Sequence, residues 1–172
     1  MAAFSISSDG SLVLTASATS ARTDFDYLVG KWNIRNRTLK DPLSGRDEWD
    51  EFEATQELRP VLLGLGNVDV FHAELGGKPF EGLTVRLFDP ETRLWTVYWA
   101  DSETMKLDDG KVGSFDGEQG NFFGREVVQG RPVIVRFHWD KRNRDNPTYS
   151  RAFSVDAGAT WEWNWYSNFS RR

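Results

Sequence analysis

Cysteine is absent from this 172-residue chain. Disulfides, zinc–thiolate centres and cysteine nucleophiles are therefore excluded. Histidine is nearly absent, and two residues cannot build a histidine-rich metal cage. A basic surplus is missing as well: 21 Lys and Arg stand against 26 Asp and Glu, a formal charge of −5. A nucleic-acid binder needs a basic footprint, so that class is set aside. No apolar run approaches the ~20 residues of a membrane helix. The first 22 residues lack a basic leading region, and Asp9 interrupts their apolar stretch, so a signal peptide is not expected and the cytoplasm is the default location. Helical periodicity is almost missing too.

Aromatic residues are what the chain has in excess, at 14%, with 8 Trp and 12 Phe. The length suits one domain able to bury roughly 70% of its unfolded surface. Segments of β-branched and aromatic residues recur along it, each bounded by Gly, Pro, Asn or Asp. They predict strands over 31–39, 49–58, 67–75, 81–88, 94–101, 113–115, 121–129, 132–139, 149–155 and 160–169. Gly76-Gly77, Asp89-Pro90, Asp109-Gly110, Asp116-Gly117, Gly130 and Asp156-Ala157-Gly158 supply the turns. Short connections favour an antiparallel meander. An open sheet of ten strands would leave two edges and an uncovered apolar face, whereas closure removes both. The expectation is an all-β, up-and-down barrel of about ten strands with room for one small ligand. Asp24 to Gly30 predicts a short helical plug before the first barrel strand. Residues 1–23 form an N-terminal extension. Its Ser8-Asp9-Gly10, between two alternating segments, predicts an added hairpin. That hairpin could lie on its own barrel or on a second subunit of a homodimer.

Alternation assigns faces. With apolar sets placed inside, Trp32, Ile34 and Asn36 point in, as do Phe52 to Leu58 in steps of two, then Val68, Val70 and His72, then Tyr149, Arg151 and Phe153. Trp161, Trp163 and Trp165 share one face. The strands carrying Arg86 and carrying Tyr98 and Trp99 read equally well in either facing.

The run Asp24-Phe25-Asp26-Tyr27-Leu28-Val29-Gly30-Lys31-Trp32 resembles the opening of lipocalin-like (calycin) barrels. The resemblance continues through Arg86-Leu87-Phe88-Asp89-Pro90, Trp95 to Asp101, Gly113-Ser114-Phe115, Val135 to Trp139 and Phe153 to Glu162. That ordered series is similar to bacterial lipocalin-like proteins of unknown function. The resemblance implies a ligand-sized cup with no catalytic motif, and a C-terminal-region arginine, here Arg171, packed over Trp32. Some related ten-stranded barrels bind haem through one histidine, but nothing beyond the two histidines marks such a site, and no cofactor is expected.

The candidate ligand-binding residues are Trp32, Asn36, His72, Arg86, Tyr98, Trp99, Arg151 and Trp163. Tryptophans and phenylalanines would form flat walls, or simply fill a core. His72 would serve as a donor or base through its imidazole, or as a hydrogen-bonded rim residue. An inward arginine needs a partner. Arg151 and Arg86 therefore either pair with an internal acid or anchor a ligand carboxylate or phenolate. Three readings follow. The leading one is binding of a small aromatic or hydrophobic molecule. The others are an isomerase, cyclase or lyase using the same cup, and a structural barrel filled by its own indoles.

Overall fold

The computed structural model describes residues 4–172. A small hairpin comes first, β1 (Phe4–Ile6) and β2 (Leu12–Leu14). Ten barrel strands follow: β3 (Gly30–Leu39), β4 (Trp49–Val61), β5 (Gly66–Leu75), β6 (Lys78–Asp89), β7 (Leu94–Asp101), β8 (Lys111–Asp116), β9 (Gln119–Val128), β10 (Arg131–Asp140), β11 (Thr148–Ser154) and β12 (Glu162–Arg171). Each pairs antiparallel with its neighbour in sequence, and β12 pairs with β3 to close the barrel. Every strand expected from the sequence is present. No helix is long and apolar enough to cross a membrane among the described residues.

One end of the barrel is packed solid. The stretch expected as a helical plug is a single 3-10 turn, Asp26–Leu28, because the chain must enter β3 at Gly30, whose φ is 112°. Phe25 beside it is buried and meets Trp95, Phe115, Phe122 and Trp139 with ring centroids 5.0, 5.1, 5.7 and 6.0 Å away. Trp32, fully buried, donates its indole N–H to the Leu28 carbonyl at 2.8 Å. The Arg171 guanidinium lies 3.8 Å from the Trp32 ring and donates to the Val29 and Tyr27 carbonyls at 2.7 and 2.8 Å. Lys141 donates to the Asp24 carbonyl at 2.9 Å and covers Phe115.

Two facings differ from the alternation reading, and the two it left open are resolved. In β5 the inward set is Asn67, Asp69, Phe71 and Ala73, so Val68, Val70 and His72 face out. Arg86 on β6 is the cause, since it points in and needs the Asn67 and Asp69 oxygens. In β6 and β7 the inward sets are Thr84/Arg86/Phe88 and Trp95/Val97/Trp99, which puts Tyr98 outside. In β12 the tryptophans divide. A bulge shifts the register so that Ala152 faces Trp163 while Arg151 faces Trp165, leaving Asn164 as the extra residue. Trp165 therefore points in and Trp163 out.

The hairpin β1–β2 turns at Gly10, φ 84°. The Asp9 carboxylate accepts from the Ser7 hydroxyl and the Ser11 N–H, which lowers its pKa to about 2. The hairpin lies on the outside of its own barrel. Phe4 packs against Phe123 and Trp161 at 4.7 and 6.3 Å, and Arg125 donates to the Gly10 carbonyl at 2.5 Å. Residues 1–3 of the extension lie outside the described residues. Removing the Phe4 ring (Phe4→Ala) is expected to cost about 1 kcal/mol and to shift tryptophan emission to the red as Trp161 gains water. Denaturant titration and emission spectra check both.

Candidate functional site

The other half of the barrel is built differently. Phe52, Ala73, Phe80 and Trp99 face inward and pack on the core, yet each keeps part of its surface exposed; Phe137 and Tyr149, also inward and partly exposed, lie level with Phe122 and Trp139 of the filled end. In a closed barrel an inward side chain stays exposed only if it borders a space open to solvent. Phe52, Ala73, Phe80 and Trp99 therefore border solvent at the open end of the barrel. Trp165 joins the wall against Phe52 at 5.7 Å. Trp99 stacks near-parallel on Phe80 at 6.4 Å and meets Phe71 edge-on at 6.0 Å. Gly82 makes room for the Trp99 ring: a Cβ there would sit 2.0 Å from it. The Trp99 indole donates to Asp101 at 2.9 Å, fixing its rotamer.

Polar groups interrupt this wall at three depths. At the floor, Arg86 is 2% exposed and donates to Asp69 at 2.5 Å and Asn67 at 3.0 Å, with its guanidinium over Phe25 and Trp139. Burial raises the Asp69 pKa, and the Arg86 charge opposes that rise. Around the pair, Arg86 Nε, Asp69 Oδ1, Gln56 Nε2 and Trp139 Nε1 are buried without a hydrogen-bond partner. Higher up, Lys111, 1% exposed, donates to Asp108 at 2.6 Å and to Glu126. Asn36 accepts from the Ser167 hydroxyl at 2.6 Å and the Trp165 indole at 3.3 Å. Near the bulge, Arg151 donates through Nε to Asn164 at 2.8 Å, with its guanidinium 4.8 Å from Phe153 and 5.2 Å from Trp165. Tyr149 contacts Trp139 and Phe137, and burial drives its pKa well up, so its hydroxyl stays protonated.

Of the residues singled out from sequence, Asn36, Arg86, Trp99 and Arg151 share the inner surface. Trp32 shares it too, but within the filled end, where it is core. His72 faces out with its Nδ1 3.3 Å from an exposed Glu81 carboxylate. Tyr98 is on the outer wall. Trp163 is outside as well, beside His138 at 6.2 Å and under Arg136 at 5.3 Å. The inner groups missed by that selection are Lys111, Tyr149, Trp165, Gln56, Asp69 and Glu126. Placing apolar sets inside hides a lysine that turns in to meet two carboxylates. Among the described residues, no group of three or more His, Asp or Glu could hold a metal ion. Two grooves of about 460 and 450 Å³, both touching Arg37 and Asn168, run among β3, β4, β11 and β12 with largely polar linings.

No protein-family profile matches the chain, and a search of curated proteins gave no significant match. Solved structures do match. Rv2717c from M. tuberculosis aligns with a TM-score of 0.55 at 15% identity, covering 91% of this chain and 99% of that one. The S-type phycobiliprotein lyase CPES from Guillardia theta aligns with a TM-score of 0.59 at 12% identity, covering 90% of this chain and 94% of that one. At such identities the likeness is one of fold, and the fold is a closed ten-stranded antiparallel barrel of lipocalin-like architecture.

Proposed function

We propose that this protein binds a small aromatic or hydrophobic molecule in the open half of its barrel. The observation that carries the reading is the contrast between the two halves. Phe25 and its ring partners fill one, while Trp99, Phe80 and Phe52 line the other and keep exposed surface. Flat apolar walls with a few fixed polar groups are the usual make-up of a small-molecule site. A barrel filled by its own indoles would leave these rings fully buried.

A lyase-type role in the same cup is supported by the fold shared with the Guillardia theta lyase. Binding is the better-supported reading because the inner titratable groups are committed. Lys111 is paired with two carboxylates, and Tyr149 is held neutral. Neither stands ready as a base or nucleophile at neutral pH.

Titration with prodan, an uncharged naphthalene dye, tests the proposal. Saturable quenching of tryptophan emission is expected, and Ala73→Trp, which fills the cup, should abolish it without unfolding the chain. Absence of quenching, or equal binding by Ala73→Trp, would overturn the reading.

A further inference from the structure

Three inward cations approach the cup, and two are neutralised within the chain. Arg86 is paired with Asp69, and Lys111 with Asp108 and Glu126. Arg151 is the exception. It has no carboxylate within ion-pair distance among the described residues, and its one hydrogen bond, from Nε, goes to the neutral Asn164 oxygen. The β11–β12 bulge supplies that oxygen, since Asn164 is its extra residue and is fully buried. The Phe153 and Trp165 rings support the guanidinium. Held at Nε and on two rings, Arg151 keeps both terminal amino groups free of hydrogen bonds within the chain. Tyr149, the previous inward position on β11, has a hydroxyl with no hydrogen bond and is a second donor on the same wall. The nearby Glu126 carboxylate is committed to Lys111.

Burying a cation without a counter-charge is costly, and a carboxylate matches the geometry of a guanidinium's two terminal nitrogens. We propose that the cup selects an aromatic acid: a monoanion whose carboxylate bridges the Arg151 terminal nitrogens and whose ring system lies on Trp165, Phe137 and Trp99. This rests on the reading of the open half as a binding cup and gives it a ligand class. Asn164 is a positioning residue for Arg151.

The test compares 2-naphthoate with the uncharged 2-naphthalenemethanol by equilibrium titration on the whole chain. Wild type should prefer the acid by about tenfold or more, and the preference should shrink between low and high salt. Arg151→Gln should bind both alike, with affinity for the alcohol within about twofold of wild type. Arg151→Lys should keep only part of the preference, because an ammonium lacks the two-pronged geometry. Equal binding of the two by wild type, or an acid preference that survives Arg151→Gln, would overturn the acid selection and leave the cup standing. Binding of neither compound would overturn the cup itself. Should Arg151→Gln fail to fold, the wild-type comparison and its salt dependence decide alone: a preference that ignores salt counts against an ionic anchor.

Discussion

Replacing Asp69 by alanine is expected to remove about 3–5 kcal/mol of stability, because it leaves a buried guanidinium without its counter-charge. Asp69 is fully buried and Arg86 2% exposed, and their contact at 2.5 Å is the main compensation for desolvating both. Asn67 would remain as a neutral acceptor at 3.0 Å, insufficient for an unpaired cation enclosed by Phe25 and Trp139. The pair is a different matter from its halves. Two apolar residues of similar volume replace a buried ion pair at little cost and sometimes with gain. Asp69→Leu combined with Arg86→Met should therefore recover much of what Asp69→Ala loses. Urea titration of the three chains measures this. A loss under about 1 kcal/mol for Asp69→Ala would mean that water reaches the pair and that the floor of the cup is wet.

Phe25→Ala should be about as damaging, at roughly 3–5 kcal/mol, the range for truncating a large buried aromatic. Its ring is the common neighbour of Trp95, Phe115, Phe122 and Trp139, four side chains from β7, β8, β9 and β10. Removing it leaves a void where those strands meet the 3-10 turn, and neighbours anchored on separate strands cannot collapse to fill it. Two indoles border the void, so tryptophan emission reports the change alongside the denaturation midpoint. Phe25→Leu should recover part of the loss by refilling volume. An alanine variant with wild-type stability and emission would show that the turn does not seal the barrel end.

The strands were legible because turn chemistry marks their ends. Gly76-Gly77, with φ of 57° and 76°, joins β5 to β6 where the sequence places a turn. Closure followed from the edge argument. Arg171 over Trp32 came from the resemblance to lipocalin-like barrels, and the structure puts the cation 3.8 Å from the ring. Facing was less legible, for a specific reason. Hydrophobicity distinguishes inside from outside only where the inside is apolar, and β5 carries Asn67 and Asp69 inward to serve Arg86. Its outward Val68 and Val70, with Leu83 and Val85 beside them on β6, made the wrong face the more apolar one. In β12 a single bulge residue reverses the facing on one side of it, which no period-2 pattern can anticipate. His72 was misplaced by the first of these effects and Trp163 by the second. Alternation placed Asn36 and Arg151 inside correctly, whereas the strands of Arg86 and Trp99, apolar on both faces, read equally well either way until Asp69 and Asn67 turn in to meet Arg86.

The absence of native cysteine allows the central claim, an accessible cup above a filled end, to be measured with one introduced thiol. Ala73 faces inward on the open half and is half-buried, whereas Leu58 faces inward at 2% exposure, level with Gly30 at the filled end. Ala73→Cys should react readily with Ellman's reagent in the native state, and saturating prodan should slow the reaction. Leu58→Cys should react only as the chain unfolds. Labelling of Ala73→Cys as slow as that of Leu58→Cys, with no protection by the dye, would contradict the account.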